Sequence, residues 1–347
     1  MTISEPNGSA ASFLRIQDIY WSLVPPFMVQ AAVKLGVFDA LERGALDLPA
    51  ITRLTKTSQR GMSRLADGLV GLGLLERDSD GRYALTAASA TYLVSSRPEA
   101  NWSRVFAGID AEIRVAWEHL AESIRSGKPP VAHNREEISG QVFAEVVEDM
   151  VPMSWSASEA LARHFKSTLE PDSVRGTPTA LDVASGSGVW GIPLALAIPQ
   201  LQVTAVDWEQ VLEVTRRAAT RHGVVERFRF LTGNLDTVDF GRDYRIAVLG
   251  HVLHAIGEAR SRTLLRKTFA ALAPGGTIVV PEFILDEQRS GPMATVCFSL
   301  SMVVLSDDGA TFTLSELTRW LHEVGFADVR LLHAPAPSPL ILATKPR

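Results

Sequence analysis

The sequence predicts an α/β protein in which a mostly helical winged-helix region precedes a Rossmann-like sheet with helices on both faces. Two observations predict this fold. From residue 180 onward, short apolar runs alternate with helical patterns, which is typical of a parallel sheet covered on both faces. Before residue 100, two helical patterns are followed by a hairpin signal, which is the element order of a winged helix.

The composition is that of a protein with substantial hydrophobic cores. The chain has 347 residues, of which 46% are hydrophobic and 21% charged, and its formal net charge is -5. This balance does not favour a nucleic-acid partner. The single cysteine, Cys297, excludes an intramolecular disulfide and cysteine-based zinc clusters, and no metal site is predicted. We expect a cytoplasmic protein without a membrane partner, because the sequence shows no signal peptide and no apolar stretch of membrane-spanning length.

The N-terminal region reads as a series of helices and one hairpin. Residues 13–43 carry apolar residues at helical spacing, with Pro25 and Pro26 expected to break or kink the pattern. A short helix around residues 49–54 and a second helix over 59–75 follow. The Asp80–Gly81 pair then predicts a hairpin turn.

A winged helix also raises the possibility of a DNA-binding regulator. Between Ile51 and Arg77 there are five basic and two acidic residues, a net of only +3. A DNA-reading helix presents polar side chains to base edges and phosphates, whereas the candidate helix is mostly apolar. We therefore expect residues 13–100 to form a dimerisation domain, with its apolar helix buried against a second subunit.

The rest of the chain divides into a helical part and a sheet. Residues 101–170 are predicted to be a helical connector that contributes to a substrate pocket. A linker over residues 171–179 leads into the catalytic domain, residues 171–347. Its strand candidates lie at 180–184, 203–206, 228–231, 245–250, 277–284, 329–333 and 340–343.

A glycine-rich turn follows the first of these strands. Gly186 and Gly188 lack the Cβ atoms that would keep a ligand from the backbone, and ligands of open α/β sheets bind at the carboxyl ends of the strands. Asp207 ends the second strand, where a carboxylate can accept hydrogen bonds from ribose hydroxyls. The alternatives without a ligand are that the glycine-rich segment is only a tight turn and that Asp207 is only a helix N-cap.

An NAD-dependent oxidoreductase would share these two features. We interpret the dinucleotide pattern G-x-G-x-x-G as missing, because the third glycine, Gly191, falls in a helical pattern beside Trp190. Asp182 precedes the turn with a carboxylate that could receive a cationic group. These features, and the winged helix, favour a ligand with a sulfonium and an amino acid over a pyrophosphate.

Five segments carry a resemblance to a known family. They are LDVASGSG at the turn, AVDW at the second strand, LTGNLD, HVLHAIGE and LAPGGTIVVPEFIL. The chain resembles the bacterial and plant small-molecule O-methyltransferases with an N-terminal dimerisation domain, including the acetylserotonin and caffeate types. The resemblance implies a class I methyltransferase fold, S-adenosyl-L-methionine as cofactor and a homodimer. It places these residues at the cofactor: Asp182, Ala184, Gly186, Gly188, Asp207, Trp208, Asn234, Leu235 and Gly250.

His254 is the candidate general base for methyl transfer, because imidazole titrates near neutral pH. The resemblance puts His254 on the family's catalytic histidine, and Glu282 on the glutamate that orients it. Glu282 lies on an apolar strand, where a carboxylate needs a partner. His251 is the alternative base, and His254 as a helix cap or Glu282 as an exposed strand end are the alternatives without catalysis.

Two positions depart from the family. The second acidic residue maps near Thr311, with Asp307 or Asp308 as possible substitutes, and the lysine of the plant members is replaced by Gly250. These departures leave room for C- or N-methylation, or for a reaction that uses the cofactor without methyl transfer.

The expected activity is methyl transfer to a hydroxyl of a small aromatic or polyketide-like metabolite. By resemblance, two helical regions wall the acceptor pocket, and flexible thioethers and aromatic rings suit a flat apolar substrate. Their candidate residues, which as helical Met and Phe can also be plain core, are Met150, Met153, Trp155, Met293, Phe298 and Met302.

Overall fold

The structure, a computed structural model, describes residues 8–96, 101–107, 111–130, 136–169, 177–335 and 338–347. Contacts within the chain divide it into two compact units, Met1–Ala111 and Glu112–Arg347. Residues 171–176 of the predicted linker lie outside the described residues. No described helix is both long enough and apolar enough to cross a membrane.

The first unit contains seven helices and one hairpin among its described residues. Pro25 and Pro26 stand in the first turn of the second helix, so the predicted break falls just before them. Gly36, at φ 70°, ends that helix and begins the next. The elements are α1 (Gly8–Trp21), α2 (Val24–Lys34), α3 (Val37–Ala40), α4 (Leu48–Thr55), α5 (Gln59–Gly71), β1 (Leu75–Arg77), β2 (Tyr83–Leu85), α6 (Ala87–Tyr92) and α7 (Ser103–Ala107).

The apolar face of α5 is buried in this unit's own core. Met62 is 1% and Leu69 0% exposed, and both pack with Phe38, Ile51 and Tyr83. The expectation that this face is buried against a second subunit is therefore wrong, because β1, β2 and α2–α4 already cover it. The hairpin was predicted correctly: β1 and β2 pair antiparallel from Leu75 to Leu85.

The second unit begins with four helices and continues into a sheet. Its described elements are α8 (Ala111–Glu118), α9 (Leu120–Ser126), α10 (Glu136–Val146), α11 (Val151–Thr168), β3 (Thr179–Val183), α12 (Gly191–Ala197), β4 (Gln202–Asp207), α13 (Glu209–Arg221), β5 (Phe228–Thr232), β6 (Tyr244–Leu249), α14 (Leu253–Ala271), β7 (Leu272–Pro281), β8 (Ile284–Leu285), α15 (Met293–Leu305), β9 (Phe312–Thr313), α16 (Leu314–Val324), β10 (Ala327–Leu332) and β11 (Leu340–Thr344).

The main sheet has seven strands in the order β10-β11-β7-β6-β3-β4-β5. Neighbouring strands from β7 to β5 are parallel, while β11 runs antiparallel to both β7 and β10. The two last strands differ in direction because they follow each other without a helical crossover, and only antiparallel strands can be joined so directly. Buried apolar clusters cover both faces, as predicted for an α/β sheet.

Strand direction and register bring the ends of four strands to one edge. Val183 of β3 pairs with Val206 of β4 and with Leu249 of β6, and Val248 pairs with Val279 of β7. The segments that follow these strands therefore start side by side. The sheet order also reverses at β3, which is where ligands of doubly wound sheets bind.

Candidate active site

The turn after β3 is held in a conformation that requires small residues. Ala184, Gly186 and Gly188 have φ values of 55°, 56° and 76°, in the left-handed region. A Cβ on Gly188 would lie 2.9 Å from Ile192 and 3.0 Å from Thr215, so this position has no room for a side chain. The turn therefore exposes backbone rather than side chains at the edge of the sheet.

Thr215 anchors the turn from below and was not predicted from the sequence. Thr215 lies on α13 and has no exposed surface; its hydroxyl donates to the Gly186 carbonyl at 2.7 Å and lies 3.2 Å from the Ser185 hydroxyl. A threonine inside an amphipathic helix gives no sequence signal of such a role. Its contact depends on how α13 packs under the turn.

Two carboxylates hold the turn from its sides. Asp182 Oδ2 accepts from the Gly191 N–H at 2.9 Å at the start of α12. Asp207 Oδ2 accepts from the Gly186 N–H at 2.9 Å, and its Oδ1 accepts from the Trp208 N–H at 2.8 Å. A carboxylate offers about four acceptor positions, so Asp207, which is only half-buried, keeps capacity for the hydroxyls of a ribose.

Both carboxylates are hard to ionise in this setting. Burial raises the pKa of Asp182 to about 8, although the Gly191 N–H opposes this shift. Burial likewise raises the pKa of Asp207 to about 6 against the N–H groups of Gly186 and Trp208. Asp182 Oδ1 is buried and has no hydrogen-bond partner among the described residues. Such an orphaned acceptor is an opening for a donor group of a ligand or a water.

Trp190 fills the space beside Gly250. A Cβ on Gly250 would lie 2.1 Å from Trp190 Nε1, so no side chain fits there while the indole holds this position. Trp190 is 3% exposed, and its ring centroid lies 6.2 Å from that of His251. The indole accordingly occupies the space that a side chain at position 250 would need.

The loop after β5 lies against the end of β4. The Gly233 N–H donates to the Asp207 carbonyl at 3.1 Å. Asn234 Oδ1 accepts from the Asp236 N–H at 2.9 Å, which shapes the loop, and Leu235 is held through its carbonyl by Lys267 at 2.6 Å. Asn234 and Leu235 are thus brought next to Asp207.

His254 and Glu282 are in direct contact across the sheet edge. His254 stands in the first turn of α14, and Glu282 directly follows β7 with no exposed surface. His254 Nδ1 lies 2.7 Å from Glu282 Oε1, and the His254 N–H donates to Oε2 at 3.2 Å. Glu282 is therefore not an exposed strand end, and His254 does not act as a helix cap.

The pKa of Glu282 stays below its usual value despite complete burial. Burial alone would raise it, but the positive potential and hydrogen bond of His254, together with His251 and the Phe283 N–H, outweigh that effect. The Phe283 N–H donates to Oε1 at 2.9 Å. The carboxylate is thus held ionised as the acceptor for the histidine beside it.

His251 faces the same carboxylate, which brings three possible metal ligands together. Its Nδ1 lies 3.8 Å from Glu282 Oε1, and one ligand atom each from His251, His254 and Glu282 fall within 4.8 Å of one another. Burial and the neighbouring His254 lower the pKa of His251 to about 4, while Glu282 opposes the shift. His251 is hence neutral near pH 7, and the spacing of the sequence did not predict this triad.

The loop before β9 contacts His254 through the backbone. The Ala310 N–H donates to the His254 carbonyl at 2.8 Å, and the Ser306 hydroxyl donates to the Ala255 carbonyl at 3.2 Å. Asp307 and Asp308 are exposed on this loop. Thr311 is 1% exposed, and its hydroxyl has no hydrogen-bond partner among the described residues.

Phe298 is the acceptor-pocket candidate that the structure brings to His254. The two rings meet edge to face at 4.8 Å, and Phe298 also lies 4.2 Å from Phe283. On the same helix, Met293 is 68% exposed at the N-terminal end and Met302 is nearly buried. These rings form an aromatic wall beside the imidazole.

The candidates at and before α11 differ in their exposure and contacts. Met150 precedes α11 and is partly exposed, and Met153 is half-buried. Trp155 stacks on His222 at 5.1 Å and donates to Glu159 at 3.2 Å. His222 follows the C-terminal end of α13, whereas Asp207 precedes its N-terminal end, roughly 20 Å away along a 13-residue helix. The ring contact recorded for Trp155 is therefore with His222 and not with the rings beside His254.

Two family descriptions match this chain. Residues 20–95 match the O-methyltransferase dimerisation domain, and residues 117–327 match the O-methyltransferase domain, which is more than half of the chain. The chain belongs to the O-methyltransferase family. Its members depend on S-adenosylmethionine, so the predicted enzyme class and cofactor are confirmed.

The similarity to known proteins covers nearly the whole chain of this O-methyltransferase. The tetracenomycin polyketide synthesis 8-O-methyltransferase of Streptomyces glaucescens is 25% identical over 91% of this chain and 92% of its own. The 3-hydroxy-5-methyl-1-naphthoate 3-O-methyltransferase of Streptomyces sahachiroi is 28% identical over 93% and 92%. A crystal structure of a putative O-methyltransferase from Nostoc punctiforme covers 99% of this chain and 100% of its own, with a TM-score of 0.82 and 28% identity.

One sequence argument against a dinucleotide cofactor does not hold. Gly186, Gly188 and Gly191 have the spacing G-x-G-x-x-G of dinucleotide-binding turns. Gly191 also packs closely, since a Cβ there would lie 2.8 Å from Asp182 Oδ2. The glycine spacing alone therefore does not separate the two cofactor classes. Membership of the O-methyltransferase family separates them.

Removing the titratable carboxyl of Asp182 should flatten the pH dependence of stability. Because its folded pKa is raised to about 8 from 3.8, its contribution is fully present below pH 3.8 and is lost as pH rises through 8. The free energy of unfolding of the cofactor-free enzyme should fall by roughly 1 kcal/mol per pH unit between pH 6 and 8 from this group. Asp182→Asn should lose that slope in urea unfolding, because the amide has no carboxyl to titrate. The turn should be kept, because the amide oxygen still accepts from the Gly191 N–H.

Asp236→Asn is the matched control, since Asp236 is an exposed carboxylate in the same unit. It should follow the wild-type slope. Identical slopes for Asp182→Asn and the wild type between pH 6 and 8 would contradict the raised pKa.

Proposed function

We propose that this O-methyltransferase methylates a hydroxyl of a small aromatic or polyketide-like metabolite, with His254 as the general base. The observation that carries the proposal is the 2.7 Å contact between His254 Nδ1 and Glu282 Oε1. A buried carboxylate that accepts from Nδ1 holds the imidazole in the tautomer whose Nε2 is a lone-pair acceptor. That nitrogen is then the free edge that can take a proton.

The proton transfer follows from this arrangement. S-adenosylmethionine supplies an electrophilic methyl group on its sulfonium. His254 Nε2 takes the proton of the acceptor hydroxyl, which leaves that oxygen as the nucleophile, and the imidazolium that forms is stabilised by ionised Glu282. Glu282 acts through His254, so it is a positioning residue. A base of this kind contributes roughly 10²- to 10⁴-fold to the rate.

The residues that would contact the cofactor lie in the segments that follow the carboxyl ends of the parallel strands. Asp207 binds the ribose hydroxyls with its remaining acceptor positions, while Ala184, Gly186 and Gly188 let the ligand approach the backbone of the turn. Trp208, Asn234, Leu235 and Gly250 line the same edge, and Asp182 supports it from beneath. The orphaned Asp182 Oδ1 and the left-handed backbone of the turn at Gly186 and Gly188 support such a ligand.

The acceptor class is inferred from the aromatic wall and the relatives. Phe298 and Phe283 line His254 with ring edges and faces, which suits a planar ring that stacks and presents a hydroxyl. The two Streptomyces relatives are named for a polyketide and for a naphthoate acceptor. We propose that Met150, Met153, Met293 and Met302 add flexible apolar surface to this pocket.

We further propose that the enzyme is a homodimer built through its first unit. That unit matches the dimerisation domain, and its first helix carries apolar side chains that its own core does not cover. Phe13, Ile16, Ile19 and Tyr20 are each more than 60% exposed. An apolar face of this size is typical of a protein–protein interface. The proposed division is residues 13–100 for dimerisation, 101–170 for the connector and 171–347 for catalysis.

Replacing the proposed base should abolish turnover without affecting cofactor binding. His254→Ala should lower kcat by about 10²- to 10⁴-fold, because the group that takes the proton of the acceptor hydroxyl is removed. The rate is measured as transfer of a labelled methyl group to a panel of phenols, naphthols and hydroxyanthraquinones. The Kd for S-adenosylmethionine, from calorimetry, should change by no more than about two-fold.

His322→Ala is the control, because His322 is an exposed histidine in the last turn of α16. It should retain the wild-type rate. Wild-type turnover by His254→Ala on the acceptor that the native enzyme methylates would reject His254 as the base.

The dimer is tested by the mass of the enzyme in solution. With a chain of 37.7 kDa, sedimentation should give a species of about twice that mass at micromolar concentration. A single species of one chain's mass under these conditions would contradict the homodimer.

A further inference from the structure

Two imidazoles and one carboxylate converge beside the aromatic wall, and proton transfer uses only one of the imidazoles. Glu282 Oε1 lies 2.7 Å from His254 Nδ1 and 3.8 Å from His251 Nδ1. The three side chains follow the ends of two adjacent parallel strands, β6 and β7, so the backbone fixes their approach. His251 is therefore placed at this carboxylate by the fold rather than by chance on the surface.

His251 reaches this position with an unusual backbone conformation. Its φ of 55° lies in the left-handed region, which few residues other than glycine adopt without cost. Its Nδ1 is buried and has no hydrogen-bond partner among the described residues. The ring is held between Phe283, at 4.9 Å, and Trp190, at 6.2 Å. A buried nitrogen aimed toward a carboxylate without reaching it leaves room for a ligand between them.

We propose that His251, His254 and Glu282 form a regulatory site for a zinc ion. Zinc takes imidazole nitrogens and carboxylate oxygens at about 2.0–2.2 Å in tetrahedral geometry, which places its ligand atoms roughly 3.3 Å apart. The two observed Nδ1–Oε1 distances, 2.7 and 3.8 Å, lie on either side of that separation. Shifts of about half an ångström in the side chains bring both distances to this separation, and all three ligand atoms already fall within 4.8 Å of one another. Mg²⁺ and Ca²⁺ prefer sets of oxygen ligands and fit this trio less well.

The ion switches the enzyme off, an effect that rests on His254 being the base. Zinc binds the Nδ1 lone pairs of both imidazoles, so in His254 the proton that Nδ1 donated to Glu282 moves to Nε2. Nε2 then carries a hydrogen and has no lone pair for the proton of the acceptor hydroxyl. The positive ion also takes up the carboxylate that stabilises the imidazolium. No bond other than this proton's N–H bond is broken, and the ion is removed by a chelator.

Metal binding is tested first without any turnover. The full-length enzyme carries Cys297→Ser, because the exposed thiol would otherwise bind zinc. Calorimetry with zinc chloride should give one equivalent per chain, and Co²⁺ in its place should give the visible absorption of a tetrahedral ion. His251→Asn should weaken the affinity at least ten-fold. Asparagine tolerates the left-handed backbone, so the variant keeps the local conformation.

His222→Asn is the matched control, since it removes a histidine of the same unit outside the trio. It should bind zinc and Co²⁺ as the Cys297→Ser parent does. Undiminished binding by His251→Asn would overturn the proposal, and so would the absence of any binding by the parent.

Methyl transfer supplies the second readout. In the Cys297→Ser parent, saturating zinc should lower the rate at least ten-fold, and EDTA should restore it. Each variant is compared with its own metal-free rate, so His251→Asn should show less than a two-fold effect. Stoichiometric zinc binding without inhibition would overturn the switch. If the metal-free parent methylates none of the aromatic acceptors, the proposed function fails while the binding experiment still decides on the site.

Discussion

A carboxylate buried at the end of β7 determines how the proposed acid–base site is built. Glu282 has no exposed surface, and an unpaired buried charge costs several kcal/mol. The first turn of α14 compensates it by offering the His254 ring and N–H, and the Phe283 N–H adds a third donor. The contact with this one charge fixes the position of the imidazole, and the proposed function requires that it also selects the tautomer with a protonated Nδ1. Stability and chemistry therefore depend on the same contact.

At the turn after β3, buried carboxylates also accept backbone N–H groups, but these donors offset the cost of burying the charge less completely than His254 does for Glu282. Asp182 and Asp207 each accept backbone N–H groups of the turn after β3, yet burial raises the pKa of both. The turn is thus held by groups whose charge the protein alone does not fully stabilise. A ligand that donates hydrogen bonds there would relieve this cost, which links cofactor binding to the stability of the sheet edge.

The sequence predicted those parts of the site that depend on neighbouring residues in the chain. Glycines after an apolar strand and Asp207 at a strand end are local patterns that the parallel sheet converts into proximity, whereas the pairing of His254 with Glu282 was implied by the family resemblance. Packing between distant elements left no such pattern. Thr215 under the turn and Trp190 against Gly250 depend on how two helices settle on the sheet.

The contact of His251 with Glu282 and the position of Trp155 also depend on packing that the sequence does not show. His251 was considered only as a rival of His254, because spacing along one segment cannot show that both imidazoles face one carboxylate. Trp155 was assigned to the acceptor pocket by its place in the family, but its ring packs on His222. Long-range packing, rather than composition or periodicity, decides both.

The tautomer of His254, which the whole account requires, is directly measurable by ¹H–¹⁵N NMR of the metal-free enzyme at pH 8. The His254→Ala variant assigns the signal. The account predicts a protonated Nδ1 and an unprotonated Nε2, and a protonated Nε2 beside a bare Nδ1 would contradict it.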